Sequence, residues 1–188
     1  MLGYGLTAGD RAETDESARL LRLAKSGDAA AFEALLRTHE ARVARTALRM
    51  VGNPQDAQDA AQEVFLRMHR HLRQMDDAGN LAGWLYRVTV NACHDVLRKR
   101  RSSDPLDDSR LAALGSTEAE LGRAEQRRLV VEALRNLPEK ERAAVTLRDL
   151  EGLSTREVAQ ILGSSEATVR SQISSARLKI RKMLRRRS

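Results

Sequence analysis

The chain has 188 residues, 41% of them hydrophobic and only 3% aromatic, with three prolines and one cysteine. That is enough apolar material for one or two packed cores, and the Ala, Leu, Arg and Glu bias favours an all-α protein over sheets. Lys and Arg number 33 against 26 acids, a net charge of +7 with a pI near 10.3, so a polyanionic partner is expected.

The single Cys93 excludes an internal disulfide framework and fits a reducing compartment. No stretch approaches the roughly 18 apolar residues of a membrane span, and no signal-like run opens the chain. The expectation is a cytoplasmic protein with no membrane insertion.

Residues 1–15 are aperiodic and are expected to form a disordered extension. A short amphipathic helix over 16–25 carries Leu20, Leu21 and Leu23 and closes at Gly27. Asp28 then caps a long helix with Phe32, Leu35, Leu36, Val43, Ala47 and Val51 at helical spacing, ended by Gly52. His39 on its apolar edge reads as a packed histidine. Asn53-Pro54 is a cap followed by proline at the first helical position, and the helix it opens buries Ala57, Ala61, Val64, Phe65, Met68 and Leu72.

The opposite face of that helix groups Asp59, Gln62 and Glu63 with an apolar Leu66. A solvated acidic face with one stray leucine has the same composition. Inside a basic protein, however, an acidic patch around an exposed leucine suits docking to a basic protein partner. His69 and His71, two apart on the helix, point away from each other and make no metal pair.

A polar turn over 76–80 leads into a helix whose buried face is Leu81, Trp84, Leu85, Val88 and Ala92. Cys93 sits among Val90, Ala92 and Val96 and reads as packing, not as a nucleophile. The helix ends in Arg98-Lys99-Arg100-Arg101. Beside Trp84, Tyr86, Arg87, Asn91 and His94, this run resembles a nucleic-acid surface that combines stacking with phosphate contacts. Trp84 is expected in the core, with Tyr86 and Arg87 kept as surface candidates.

Residues 102–126 carry six acids against Arg110 and Arg123 and read as an acidic linker. A helix with Val130, Ala133, Leu134 and Leu137 follows. Pro138 starts another, which runs to Gly152. Ser154-Thr155-Arg156-Glu157 is a capping box, opening a short helix with Val158, Ala159, Ile161 and Leu162 that stops at Gly163.

From Glu166 a second helix buries Val169, Ile173, Ala176 and Ile180 and shows Thr168, Arg170, Ser171, Gln172 and Ser174 on its other face. This is a helix-turn-helix pattern. Any hairpin of two helices shares it, but residues 165–188 hold eight Lys/Arg against Glu166 alone, as a phosphate-tracking helix should.

Three stretches resemble bacterial sigma factors. Asp56-Ala-Gln-Asp-Ala-Ala-Gln-Glu-Val-Phe-Leu-Arg67 resembles their polymerase-docking helix. Asn80-Leu-Ala-Gly-Trp-Leu-Tyr-Arg87, with Asn91, Asp95 and the closing basic run, resembles the promoter-melting helix of the same domain. Leu137-Pro-Glu-Lys-Glu-Arg142, Glu151-Gly-Leu-Ser154, Glu157, Leu162-Gly163 and Thr168-Val-Arg-Ser171 resemble their C-terminal domain. Two domains and little else point to the small extracytoplasmic-function (ECF) subclass.

The resemblance implies an all-α chain. It has a sigma region 2-like bundle over 16–101, the linker over 102–126 and a sigma region 4-like helix-turn-helix domain over 127–188. It further implies that Asp59, Gln62, Glu63 and Leu66 bind the clamp helices of the polymerase β′ subunit, and that the C-terminal domain meets the β flap. Asn80, Tyr86, Arg87, Asn91, Arg98, Lys99, Arg100 and Arg101 would serve the minus-ten element, where a flipped base is captured near the 76–80 turn.

Glu166, Thr168, Arg170, Ser171, Ser174 and Arg177 would serve the minus-thirty-five element. The acidic linker would thread toward the active-site channel, and an anti-sigma factor is an implied partner. No catalytic residue, metal or cofactor is implied. Relatives often carry Arg where Gln172 and Ser175 stand, which weakens local phosphate contact here and leaves 179–187 to compensate.

Two other classes compete. A stand-alone helix-turn-helix regulator would normally be a dimer, and no dimerisation helix or ligand domain is visible. A nuclease would need clustered acids or histidines for metal, and the acids here are spread over helix faces and the linker.

Overall fold

The computed structural model describes residues 8–76, 80–102 and 118–185. Residues 1–7, part of the 76–80 turn, most of the acidic linker and Arg186-Arg187 lie outside them. All regular elements among the described residues are helical, as the composition implied.

Helix α1 (Ala8–Lys25) starts within the stretch expected to be disordered. Nothing in it breaks a helix, and Arg22 and Lys25 in its last turn suit the negative end of the helix dipole. Helix α2 (Ala29–Val51) is capped by Asp28, whose Oδ1 accepts from Ala31 N at 3.0 Å. Helix α3 (Pro54–His71) is capped by Asn53, which accepts from Gln55 N and Asp56 N at 2.8 and 3.1 Å. A 3-10 turn (Leu72–Gln74) follows, then α4 (Leu81–Ser102). These four helices pack on one another around Leu21, Leu35, Met50, Val64, Met68 and Cys93. His39 is buried there, with its Nε2 3.2 Å from Ser17 Oγ.

The C-terminal half holds α5 (Glu118–Arg135), α6 (Glu139–Val145), a π-helical turn (Thr146–Leu150), α7 (Thr155–Leu162) and α8 (Glu166–Arg185). The chain from Pro138 to Gly152 is thus not one regular helix. It widens after Val145, with Glu151 N donating to Thr146 O at 3.0 Å. Helix α5 begins inside the stretch read as linker. Its inward residue is Val131, 4% exposed, while Val130 is 41% exposed. The register of Leu134 and Leu137 turns Val131 inward and its neighbour out.

The capping box at Ser154 forms, with Glu157 N donating to Ser154 Oγ at 3.3 Å and Ser154 N to Glu157 Oε2 at 2.6 Å. Gly163 then takes φ 58, a left-handed conformation that turns α7 into α8.

One buried cluster runs through both halves. Ala143, Ala144, Leu147, Val158, Ile161, Val169 and Ile173 belong to the same apolar core as the N-terminal helices. Helix α2 packs against α5, α6 and the π-helical turn, and α4 packs against α7. Gly52 makes part of this seam possible. It sits at φ 75, and a Cβ there would lie 2.2 Å from the Arg135 side chain.

Arg142 is a second fastener. The residue is 7% exposed, and its guanidinium donates to Met50 O at the end of α2, and to Arg135 O and Leu137 O at 3.0 and 3.1 Å.

Candidate nucleic-acid and protein interfaces

On α3 the helical period puts Asp59, Gln62 and Leu66 on the open side, Leu66 being 52% exposed. Glu63 is half-buried and paired, accepting from Arg67 Nε at 2.7 Å with Arg70 at 3.8 Å. The Arg67 hydrogen bond holds the Glu63 carboxyl below its ordinary range. Arg67 also reaches Asp95 on α4 at 3.2 Å, and Asp95 accepts from Arg98 at 2.9 Å. Arg100 meets Asp56 at 3.3 Å. The acidic face of α3 and the basic end of α4 are therefore laced together by ion pairs, an arrangement the sequence did not announce.

Asn80 caps α4, its Oδ1 accepting from Gly83 N at 2.8 Å. Gly83 leaves room for it, since a Cβ there would lie 2.6 Å from Asn80 Nδ2. Beside this cap lies a cavity of about 310 Å³ lined by Leu21, His71, Gln74, Met75, Asp76, Asn80, Leu81 and Trp84. Trp84, expected in the core, is only half-buried and forms part of its wall. Leu21 and His71 were not among the expected site residues. Only the shared neighbourhood of α1, the 3-10 turn and α4 brings them together.

Along α4, Arg87, Asn91, Arg98 and Lys99 are exposed. Arg87 donates to Gln160 O on α7 at 3.2 Å. Tyr86 is 7% exposed, and its hydroxyl donates to Glu151 Oε2 at 3.1 Å. Burial pushes the phenol well above its ordinary pKa. Periodicity could not reveal this, because what covers Tyr86 is the other half of the chain. The side chain of Arg101 lies outside the described residues.

Helix α8 is capped by Ser165, whose Oγ accepts from Thr168 N at 3.1 Å. Glu166, Thr168, Arg170, Ser171, Ser174 and Arg177 are all exposed, whereas Gln172 is half-buried. Arg170 pairs with Glu166 at 3.2 Å. Arg177 makes two bonds to Asp149, at 2.8 and 2.6 Å, which raise its pKa further. Arg148, Arg170, Arg177 and Arg181 border a groove of about 520 Å³ that Ser174 and Leu178 also line. Four guanidinium groups around one groove make a surface for phosphates. Among the described residues no group of His, Cys, Asp or Glu could hold a metal ion, and no helix is long and apolar enough to cross a membrane.

The comparisons with known proteins agree with this layout. Residues 35–103 match the family model of Sigma-70 region 2, and residues 127–180 match that of Sigma-70, region 4. The ECF RNA polymerase sigma factor SigM of Mycobacterium tuberculosis is 35% identical over 186 residues, which span 97% of this chain and 92% of the relative. The ECF RNA polymerase sigma-E factor of Escherichia coli is 31% identical over 170 residues, spanning 84% and 88%. Among solved structures, CnrH in complex with the cytosolic domain of CnrY is similar, with a TM-score of 0.70 and 27% identity, covering 93% of this chain and 100% of that one.

The two family models and these relatives together define a helical transcription initiation factor. The chain belongs to the ECF family of RNA polymerase sigma factors.

Proposed function

We propose that the chain docks on core RNA polymerase through α3, captures and melts the minus-ten element with α4, and reads the minus-thirty-five element with α8. In this reading residues 16–101 and 127–188 are the two working domains, and 102–126 is the acidic segment that threads the polymerase channel. Asp59, Gln62, Glu63 and Leu66 engage the clamp helices of β′, with the leucine buried on contact and the acids meeting basic groups. The C-terminal domain meets the β flap. An anti-sigma factor that covers these faces is the expected regulator, in keeping with the family.

The cavity beside Asn80 receives the flipped base. Extrusion costs a few kcal/mol in stacking and pairing, and an enclosing pocket with an aromatic wall and polar rim offsets that cost. Tyr86, Arg87 and Asn91 line the path of the strand, while Arg98, Lys99, Arg100 and Arg101 hold phosphates. On α8, Thr168, Arg170, Ser171 and Ser174 face base edges. Glu166 and Arg177 frame the backbone contacts.

One observation carries this reading above a stand-alone DNA-binding regulator. An exposed leucine, Leu66, sits on α3 with Asp59, Gln62 and Glu63 on the same open side. A stand-alone regulator has no use for it. Replacing Glu63 by Lys should abolish capture of core polymerase and leave the far-UV circular dichroism unchanged. A variant that still programmes core normally would remove α3 from the account.

A further inference from the structure

One carboxylate forms the polar centre of the seam between the halves, beside its apolar core. Glu151 follows the π-helical turn, and its side chain is 5% exposed. Its three neighbours all come from the N-terminal half. Oε1 accepts from Arg49 Nη1 at 2.5 Å and from Thr46 Oγ1 at 3.0 Å, and Oε2 accepts from Tyr86 O–H at 3.1 Å. Arg42 and Arg45, on the same helix as Thr46 and Arg49, add positive potential at Tyr86.

We propose that Thr46, Arg49 and Tyr86 form an anion socket, filled by Glu151 in the closed chain and by a backbone phosphodiester of promoter DNA once the halves part. This rests on the sigma-factor reading, which supplies the DNA.

First, the closed form cannot engage both promoter elements. Minus ten and minus thirty-five are roughly 25 base pairs apart, which is about 85 Å at 3.4 Å per step. A compact chain of this length has a radius of gyration of about 16 Å, so it is roughly 40 Å across. Opening at the seam is therefore a requirement of function.

Second, opening removes Glu151 from its three donors and exposes one guanidinium and two hydroxyls together, a set already arranged to receive an anion. A phosphodiester offers the same chemistry as the departing carboxylate, two anionic oxygens able to accept from a guanidinium and two hydroxyls. Tyr86 of the socket directly precedes Arg87, which lies on the proposed path of the strand. Glu151 thus acts as an internal competitor that keeps the DNA face closed until a phosphate replaces it.

The test uses the full-length wild-type chain, Glu151→Gln, and the double variant Glu151→Gln with Arg49→Ala. Binding to a fluorescein-labelled single-stranded DNA is measured without core polymerase, across a salt series. Glu151→Gln should bind about tenfold more tightly, the gain expected when a competent state that was a minor fraction becomes the main one. Adding Arg49→Ala should cancel most of that gain and reduce the salt slope by about 0.7, one phosphate on a single strand.

Unchanged affinity in Glu151→Gln, or a double variant that matches it in affinity and slope, would overturn the proposal. If Glu151→Gln shows loss of helix by circular dichroism, Tyr86→Phe takes its place. That variant removes only the hydroxyl, so it weakens both closure and phosphate contact. Promoter binding by its core-bound form should weaken by about two- to tenfold with the salt slope unchanged, since a neutral hydroxyl releases no counterion, and unchanged affinity would overturn the socket. Core-dependent transcription by the wild-type chain, run in parallel, tests the sigma-factor reading separately. Transcripts with no socket effect would sink only the socket.

Discussion

Replacing Arg142 with Met would show how the two halves are held together. The methionine approximates the length of the arginine stem but offers no donor. The guanidinium of this buried residue serves Met50 O, Arg135 O and Leu137 O. Two of these carbonyls lie at or near the end of α2 and α5, where no intrahelical partner is available. Hydrogen bonds to a charged donor contribute about 1.5–3 kcal/mol each, and an acceptor left buried without one costs about 1–3 kcal/mol.

Because all three partners are backbone, the substitution cannot remove them along with the charge. Desolvation of the native cation returns part of the loss, so the net cost is about 3–5 kcal/mol, as when one partner of a buried pair is removed. For a chain of this size each kcal/mol moves Tm by about 2–4 °C, giving a fall of roughly 6–20 °C. Circular dichroism at 222 nm, followed on heating, reads this directly. Reasoning from buried carbonyls would be refuted by a drop below about 2 °C.

Two further outcomes follow from the same geometry. Cys93 is fully buried, and burial pushes its thiol from an ordinary 9.0 up to about 12. A raised folded-state pKa leaves stability intact below pH 9.0 and erodes it as pH climbs toward 12, so thiol titration of native protein below pH 9.0 should be slow and become fast only in denaturant. Rapid labelling of the native chain would contradict that placement. Arg177→Ala breaks an exposed pair with Asp149, so stability should change by less than about 1 kcal/mol. Promoter binding by the holoenzyme should lose about 0.9 of its salt slope, one phosphate on duplex DNA. An unchanged slope would take Arg177 off the backbone.

What was legible in the sequence is what short-range chemistry encodes. Asp28, Asn53-Pro54, the Ser154–Glu157 box and Gly163 each act within one turn of where they stand, and each marks a helix end in the structure. The acidic side of α3 and the basic face of α8 were legible for the same reason, as periodicity applied to charge.

What stayed hidden is what needs the two halves brought together. Glu151 meets Tyr86, Arg49 and Thr46 across separations of 65, 102 and 105 residues, and no local pattern distinguishes it from a solvated acid. Tyr86, expected at the surface, is buried for that reason against Glu151, while Trp84 is only half-buried and walls a cavity. Arg142 reads as one more charge in Leu137-Pro-Glu-Lys-Glu-Arg142, yet it is buried. The π-helical turn likewise left no mark that Gly152 and Pro138 could supply.

The most direct test of the central claim mixes the purified chain with core RNA polymerase and fragmented genomic DNA, and maps the initiated transcripts. A parallel binding reaction omits core. The account predicts transcripts that depend on core and share two upstream elements, with weak binding by the chain alone. Tight sequence-specific binding without core, and no new transcripts, would contradict it.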